Sequence, residues 1–233
     1  MKYLAIIPAY NEGANIYNVV KNIKNSNFEF DIVVINDGSQ DNTYSEAKRA
    51  GAKVINLSNN LGIGGAVQTG YLYAYNNNYD AAIQIDGDGQ HDSKELNKLV
   101  EELKKNEADI VIGSRFVEKS EYRPSLFRNI GIKYFSMIVS FLCKMPYYDT
   151  TSGYRIVNRK ALEYFINYYP QDYPEVETIV YAVKNGLKVK EIMVNMNQRQ
   201  GGKSSITPLK SLYYMVKVTL ALIINPTSKG VLS

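Results

Sequence analysis

Ala81-Ala82-Ile83-Gln84-Ile85-Asp86-Gly87-Asp88-Gly89-Gln90 joins an apolar run of strand length to two carboxylates one residue apart. A buried strand that ends this way sets Asp86 and Asp88 at its C-terminal edge, where they can hold a hard divalent cation. Mg²⁺ or Mn²⁺ needs only one or two protein carboxylates once a diphosphate fills the remaining positions, and the glycines leave backbone room for its phosphates. A DGDG tetrapeptide serves equally as a turn or a calcium loop, so the rest of the chain decides its meaning.

Strands are predicted near 2–8, 31–36, 52–57, 81–86 and 109–113, separated by helices near 12–25, 41–50, 63–77 and 93–106. Such alternation specifies an α/β fold, a mostly parallel sheet with helices on both faces. Ile16, Val19, Val20 and Ile23 recur at helical spacing, as do Leu96, Leu99, Val100 and Leu103, giving two helices a stripe for the sheet. Asp41 and Ser93 are expected N-caps, and Gly51 a C-terminal stop. Ligands of open sheets bind beyond the C-terminal strand ends. There the chain places Pro8-Ala9-Tyr10-Asn11-Glu12, Asn36-Asp37-Gly38-Ser39, the Asp86 motif and Gly113-Ser114-Arg115. No Gly-x-Gly-x-x-Gly follows the first strand and no Gly-x-x-x-x-Gly-Lys-Ser/Thr occurs, which argues against a dinucleotide fold and a P-loop. Gly62-Ile63-Gly64-Gly65 reads either as a close approach to a nucleotide or as a tight helix start.

With 233 residues, 45% hydrophobic and 21% charged, the chain has ordinary globular composition, enough for one sizeable core. The expected division is a domain over 1–205 and a C-terminal apolar or amphipathic helix and tail over 206–233. Cys143 is a packed small hydrophobe suited to a reducing compartment, His91 by itself cannot build a metal cluster, and the N-terminus reads as a strand rather than a signal peptide. No run reaches the roughly 18 apolar residues of a membrane span. From Leu187 onward seven Lys and Arg face one acid, so this part carries +6 and the rest −2 of the net +4. That basic segment leads into the apolar run 212–224, which suits either anionic headgroups or an ordinary core helix. The apolar run 129–143 is open in the same way: a membrane-facing surface, mutual packing, or a second subunit.

In order along the chain, residues 6–12, 34–41, 59–70, 86–91, 113–115, 149–155 and 199–204 resemble the GT-A glycosyltransferases of family 2. The resemblance is closest to the branch of dolichyl-phosphate mannose synthase and the bacterial polyprenyl-phosphate glycosyltransferases. It implies a GT-A (Rossmann-like) fold and inverting, metal-dependent transfer of a sugar from a nucleotide diphosphate, UDP foremost. It places Pro8, Ala9, Tyr10, Glu12 and Gly65 at the donor nucleotide and has Asp37 accept from a base N–H. Asp86 would face ribose and metal, Asp88 would be the principal ligand of Mg²⁺ or Mn²⁺, and Gln90 would assist through its amide oxygen. The cation would neutralise the leaving diphosphate.

A sugar hydroxyl needs a carboxylate to take its proton, whereas a lipid phosphate, with a second pKa of about 6, is already anionic and calls for cations. Arg115, Arg128, Arg199 and Lys203, with Ser204, are the expected phosphate contacts, and Arg155 lies nearby. Asp88, Arg115, Asp149 and Glu177 are the expected catalytic set, with Glu175 the alternative to Glu177. Both glutamates equally suit a helix start. Residues 199–205 resemble a lid that closes on substrate, or else a basic linker. The implied partners are a nucleotide sugar and a polyprenyl phosphate or lipid-linked saccharide in bacterial cell-envelope synthesis, at the cytoplasmic, inner face of the membrane. A separate membrane-protein anchor or a homo-oligomer fits as well; nucleic acid does not. The rival readings are transfer of rhamnose or another hexose to a polysaccharide hydroxyl, and a silent nucleotide-sugar-binding scaffold.

Overall fold

The structure, a computed structural model, describes residues 1–117, 126–171, 173–197 and 208–224. One sheet carries seven strands in the order β3-β2-β1-β4-β6-β5-β7. The expected strands are β1 (Tyr3–Ala9), β2 (Asp31–Asn36), β3 (Lys53–Asn56), β4 (Ala81–Gln84) and β5 (Ile110–Ser114). Two more, β6 (Arg155–Asn158) and β7 (Val189–Met193), were not expected. All named pairings are parallel except those of β6, which runs antiparallel between β4 and β5.

Alternation along each strand sorts the helices into two layers. Leu4, Ile6, Val33 and Ile35 pack with α3 (Gly62–Asn76), α5 (Leu126–Cys143), α6 (Arg159–Asn167), α7 (Pro174–Lys184) and α8 (Pro208–Ile224). Ala5, Ile7, Ile32 and Val34 face α1 (Ile16–Lys24), α2 (Thr43–Arg49) and α4 (Leu96–Lys104). Every residue of the two predicted stripes is buried, each such side chain contributing about 1.5–3 kcal/mol. Asp41 accepts the Thr43 amide just ahead of α2, one residue before the N-cap Asn42, and Gly51 ends that helix at φ +83°. Ser93 is not the fourth cap. Asp92 takes that place, accepting from the Lys94 amide of a short 3-10 turn that leads into α4, because a carboxylate one residue earlier reaches the free N–H.

The reversed strand positions the site. After α5 the chain returns to the C-terminal edge of the sheet and enters β6 there, with Arg155 opposite Gln84 and Ile112. Residues 149–154 therefore lie beside the Asp86 loop. On the far layer α5 and α8 meet through Tyr134 Oη and Thr219 Oγ1 at 2.9 Å, and Val139, Cys143, Val218 and Leu222 join the core. Burial pushes the Cys143 thiol up to about 11. Outward, Ile130, Met137 and Phe141 of α5 and Tyr213, Val216, Leu220 and Ile223 of α8 are exposed. Among the described residues no helix is long and apolar enough to cross a membrane.

Candidate active site

The turns at the C-terminal edge are stitched together by side chains. The Asn11 amide donates to Ser39 Oγ, the Glu12 amide to Thr43 Oγ1 and the Gly13 amide to Asp41 Oδ2, all at 2.8–2.9 Å. Pro8 and Ala9 end β1, and Tyr10 stands half exposed beyond them. Buried Asp37 accepts from the Leu61 amide at 2.7 Å and the Gly62 amide at 3.0 Å, so it holds the entrance to α3. Each of its oxygens keeps a second lone pair for another donor. Gly65 lies in the first turns of α3, where an added Cβ would stand 2.6 Å from Leu61 Cβ and 3.3 Å from Gln171 Oε1. That crowding calls for a glycine at this point of α3.

The Asp86 loop rests on this platform. A Cβ on Gly87 would lie 3.3 Å from the Pro8 carbonyl oxygen and 3.4 Å from Glu12 Cγ, which brings the ends of β1 and β4 together. Gly89 turns at φ +77°, a conformation that favours glycine. Asp88 is buried, its Oδ1 accepting from the Gln90 amide at 3.0 Å, whereas the Asp86 side chain is 36% exposed. Beneath it the Asp86 amide donates to His91 Nδ1 at 3.0 Å, and the imidazole stacks on Tyr154 with centroids 4.5 Å apart. Burial holds the His91 pKa below its ordinary value against the opposing charges of Asp86 and Asp88. Among the described residues no group of three or more His, Cys, Asp or Glu side chains is arranged to hold a metal. Two carboxylates and an amide oxygen still fit Mg²⁺ or Mn²⁺, hard ions that leave coordination positions for phosphate and water.

The neighbouring loop is tied more tightly. Asp149 is fully buried and forms a two-pronged pair with Arg115, Nε to Oδ2 at 2.6 Å and Nη2 to Oδ1 at 2.7 Å. The Arg115 amide donates to the same carboxylate at 3.0 Å. These contacts fasten the end of β5 to the turn before β6. Arg155 is equally engaged, donating to the carbonyls of Ser152, Thr150 and Glu175 and to Thr178 Oγ1. From β7, Glu191 accepts the Tyr148 and Asp149 amides at 2.7 Å each. Burial pushes the Glu191 pKa up to about 7, the two amides opposing it. A Cβ on Gly153 would stand 2.8 Å from Gln84 Nε2 and 3.1 Å from Asp86 Oδ1, so only glycine lets this turn lie against the Asp86 carboxylate.

The two glutamates of α7 diverge. Burial raises the Glu175 pKa, with Arg155 opposing and the charge of Asp86 adding to it, and its backbone carbonyl accepts from Arg155 Nη2 at 2.6 Å. Glu177 instead lines a cavity of about 260 Å³ with Tyr168, Tyr169, Tyr173 and Lys217 of α8, and its Oε2 lies 3.5 Å from Tyr181 Oη.

A profile of the glycosyl transferase family 2 matches residues 4–165. This chain belongs to glycosyl transferase family 2. The transferase is 32% identical over 209 residues to the UDP-N-acetylglucosamine-dolichyl-phosphate N-acetylglucosaminyltransferase of Methanococcus voltae, covering 81% of this chain and 83% of that one. It is 28% identical over 231 residues to the polyprenol monophosphomannose synthase of Mycolicibacterium smegmatis, covering 92% and 84%. Among solved structures, the glucosyl-3-phosphoglycerate synthase of Mycobacterium tuberculosis shares the fold at a TM-score of 0.72 and 18% identity, over 96% of this chain and 79% of that one.

In this family 2 transferase the fold brings the Pro8–Glu12 turn, Asp37, Asp86, Asp88, Arg115 and Asp149 to one edge, while Glu177 faces α8. Arg128 lies on α5, its side chain outside the described residues, as are Arg199, Lys203 and Ser204. The chain runs toward the last three from Asn197, whose amide donates to the Gln90 carbonyl at 2.8 Å. Sequence reasoning missed Glu191 and set His91 aside. The Glu191 signal is legible in retrospect: it shares a strand face with core residue Val189, and an acid on an inward face needs partners.

Proposed function

We propose that this transferase moves a sugar, with inversion, from a nucleotide diphosphate, UDP foremost, to a polyprenyl phosphate. The observation that carries the donor half is the seating of the Asp86–Gln90 loop on the Pro8–Glu12 turn, which sets two carboxylates beside the C-terminal end of β1. Pro8, Ala9, Tyr10, Glu12 and Asp37 line the nucleoside side; Asp86, Asp88 and Gln90 hold the cation. Mg²⁺ or Mn²⁺ bound there supplies charge neutralisation for the departing diphosphate. The mycobacterial neighbour of the same fold is named as a complex with Mn²⁺ and UDP, which supports this choice of ligands.

The acceptor half rests on the relatives, named for dolichyl and polyprenol phosphates, and on chemistry. An anionic phosphate attacks without a base, so the transferase's task is to guide it, and Arg128, Arg199, Lys203 and Ser204 are assigned to that task. The Arg115–Asp149 pair holds β5 and the 149–154 turn in register. The exposed apolar rows of α5 and α8, with the basic C-terminal part, would rest on the inner face of the membrane. A saccharide hydroxyl is the second reading, favoured by Glu175, whose carboxyl has its pKa raised by burial and by the charge of Asp86 and could serve as a base.

Purified protein with Mn²⁺ and a panel of UDP-, GDP- and dTDP-sugars, offered undecaprenyl or dolichyl phosphate, tests the proposal. A labelled lipid product is expected. Donor binding or hydrolysis without lipid product would reject the acceptor while leaving the donor site standing.

A further inference from the structure

His91 is the one imidazole in the chain. Its side chain is 4% exposed and lies flat on the Tyr154 ring, 7° from parallel. Tyr154 is fixed in turn by its hydroxyl, which donates to the Asp92 carbonyl at 2.9 Å, and the His91 backbone bridges to Met196. The stack sets the plane of the imidazole, and the Asp86 amide sets its rotation by donating to Nδ1. A ring nitrogen that accepts carries no proton, so the proton of the neutral ring is on Nε2. Nε2 faces Asp86 Oδ2 at 3.5 Å, while Gln84 Nε2 approaches Oδ1 at 3.4 Å. Each oxygen of the part-exposed carboxylate thus has a nitrogen of the protein beside it, and the carboxylate is still 36% open to solvent.

We propose that His91 is a positioning residue: its Nε2–H orients the Asp86 carboxylate toward the cation and diphosphate. The inference rests on the reading of Asp86 as a cation-facing carboxylate. Groups that hold a metal-binding side chain in place are typically worth 10–100-fold in metal affinity. The seat of His91 shows why an imidazole is required. Phe in its place would keep the stack and lose both polar contacts, Asn would offer a partner near the Nδ1 position only, and Gln would offer an N–H near the Nε2 position only.

Mn²⁺ binding to the full chain with saturating UDP, read from the electron paramagnetic resonance of free Mn²⁺, tests this beside thermal unfolding of the metal-free protein. H91F and H91N are expected to bind Mn²⁺ about tenfold or more weakly and H91Q to recover most of the loss, although H91N, which keeps the backbone partner, unfolds closer to wild type than H91Q. That reversed ranking is what a purely structural histidine would not produce. Wild-type Mn²⁺ affinity in H91N would overturn the proposal, and the Asn and Gln pair decides it even where H91F does not fold. Wild-type protein that binds no Mn²⁺ with UDP would overturn the metal reading and this proposal together; normal wild-type binding with no loss in any His91 variant would overturn the His91 assignment alone.

Discussion

Asp86 and Asp149 stand on adjacent turns of one sheet edge and are held in opposite ways. The Asp86 carboxylate is 36% exposed, and its contacts among the described residues are long ones, 3.4 and 3.5 Å, to Gln84 and His91. Asp149 is fully buried and gripped by Arg115 at 2.6 and 2.7 Å. A part-open carboxylate has lone pairs to offer a cation, whereas both Asp149 oxygens already accept from Arg115 inside the protein. On the proposed function the first loop meets ligand and the second holds the edge in place, although both are acidic and both fall in segments that resemble the same family.

The largest expected effect breaks the first loop alone. Asp88→Ala should lower transfer by about 10²–10³-fold while the melting temperature stays within a few degrees of wild type. Turnover near wild type would erase the distinction between the loops. Next, Asp149→Ala strands a buried guanidinium, which costs about 3–5 kcal/mol in urea denaturation. The double replacement R115M/D149L should recover much of that loss, since apolar residues of similar volume often match a buried pair; a double variant as unstable as the single would show that the charges do more than hold the edge.

A sharper comparison lies within α7. Glu175→Gln should reduce kcat about tenfold and Glu177→Gln less, because Glu177 lines the cavity beside α8 whereas the Glu175 carboxyl feels the charge of Asp86. A loss of 10²–10⁴-fold in Glu175→Gln would mark a general base and shift the acceptor to a saccharide hydroxyl.

The effect most remote from turnover is a slope of stability with pH. Glu191 has its pKa raised to about 7 from 4.5, so the folded chain binds this proton more tightly than the unfolded chain. That contribution to stability is complete below about pH 4.5 and is lost as pH rises through 7. Denaturation series from pH 4 to 8 should therefore show a decline in wild type that Glu191→Gln lacks. Parallel curves would remove Glu191 from the account.

The first five strands were legible because Ile, Val and Ala runs alternate with amphipathic stripes, and each run needs only local pattern to be read. β6 was not, because Arg155-Ile156-Val157-Asn158 is four residues long and its buried arginine is satisfied by carbonyls far away in sequence. β7 carries Lys190 and Glu191, and only the partners Tyr148 and Asp149 make an inward acid tolerable. At the site, the sequence supplied the residues but not their division of labour. Asp86 was expected at ribose and metal and Asp149 in the catalytic set, and burial shows Asp149 enclosed with Arg115 while Asp86 is part exposed. Between Glu175 and Glu177 the sequence leaned on alignment, whereas the helix turns them to different neighbours.

The most direct test of the central claim, that the Asp86–Gln90 loop is where cation and nucleotide diphosphate meet, is calorimetric titration of UDP into wild type and Asp88→Ala with and without Mn²⁺. The account predicts that Mn²⁺ tightens UDP binding at least about tenfold in wild type and not in the variant. Equal Mn²⁺ enhancement in both proteins would contradict it.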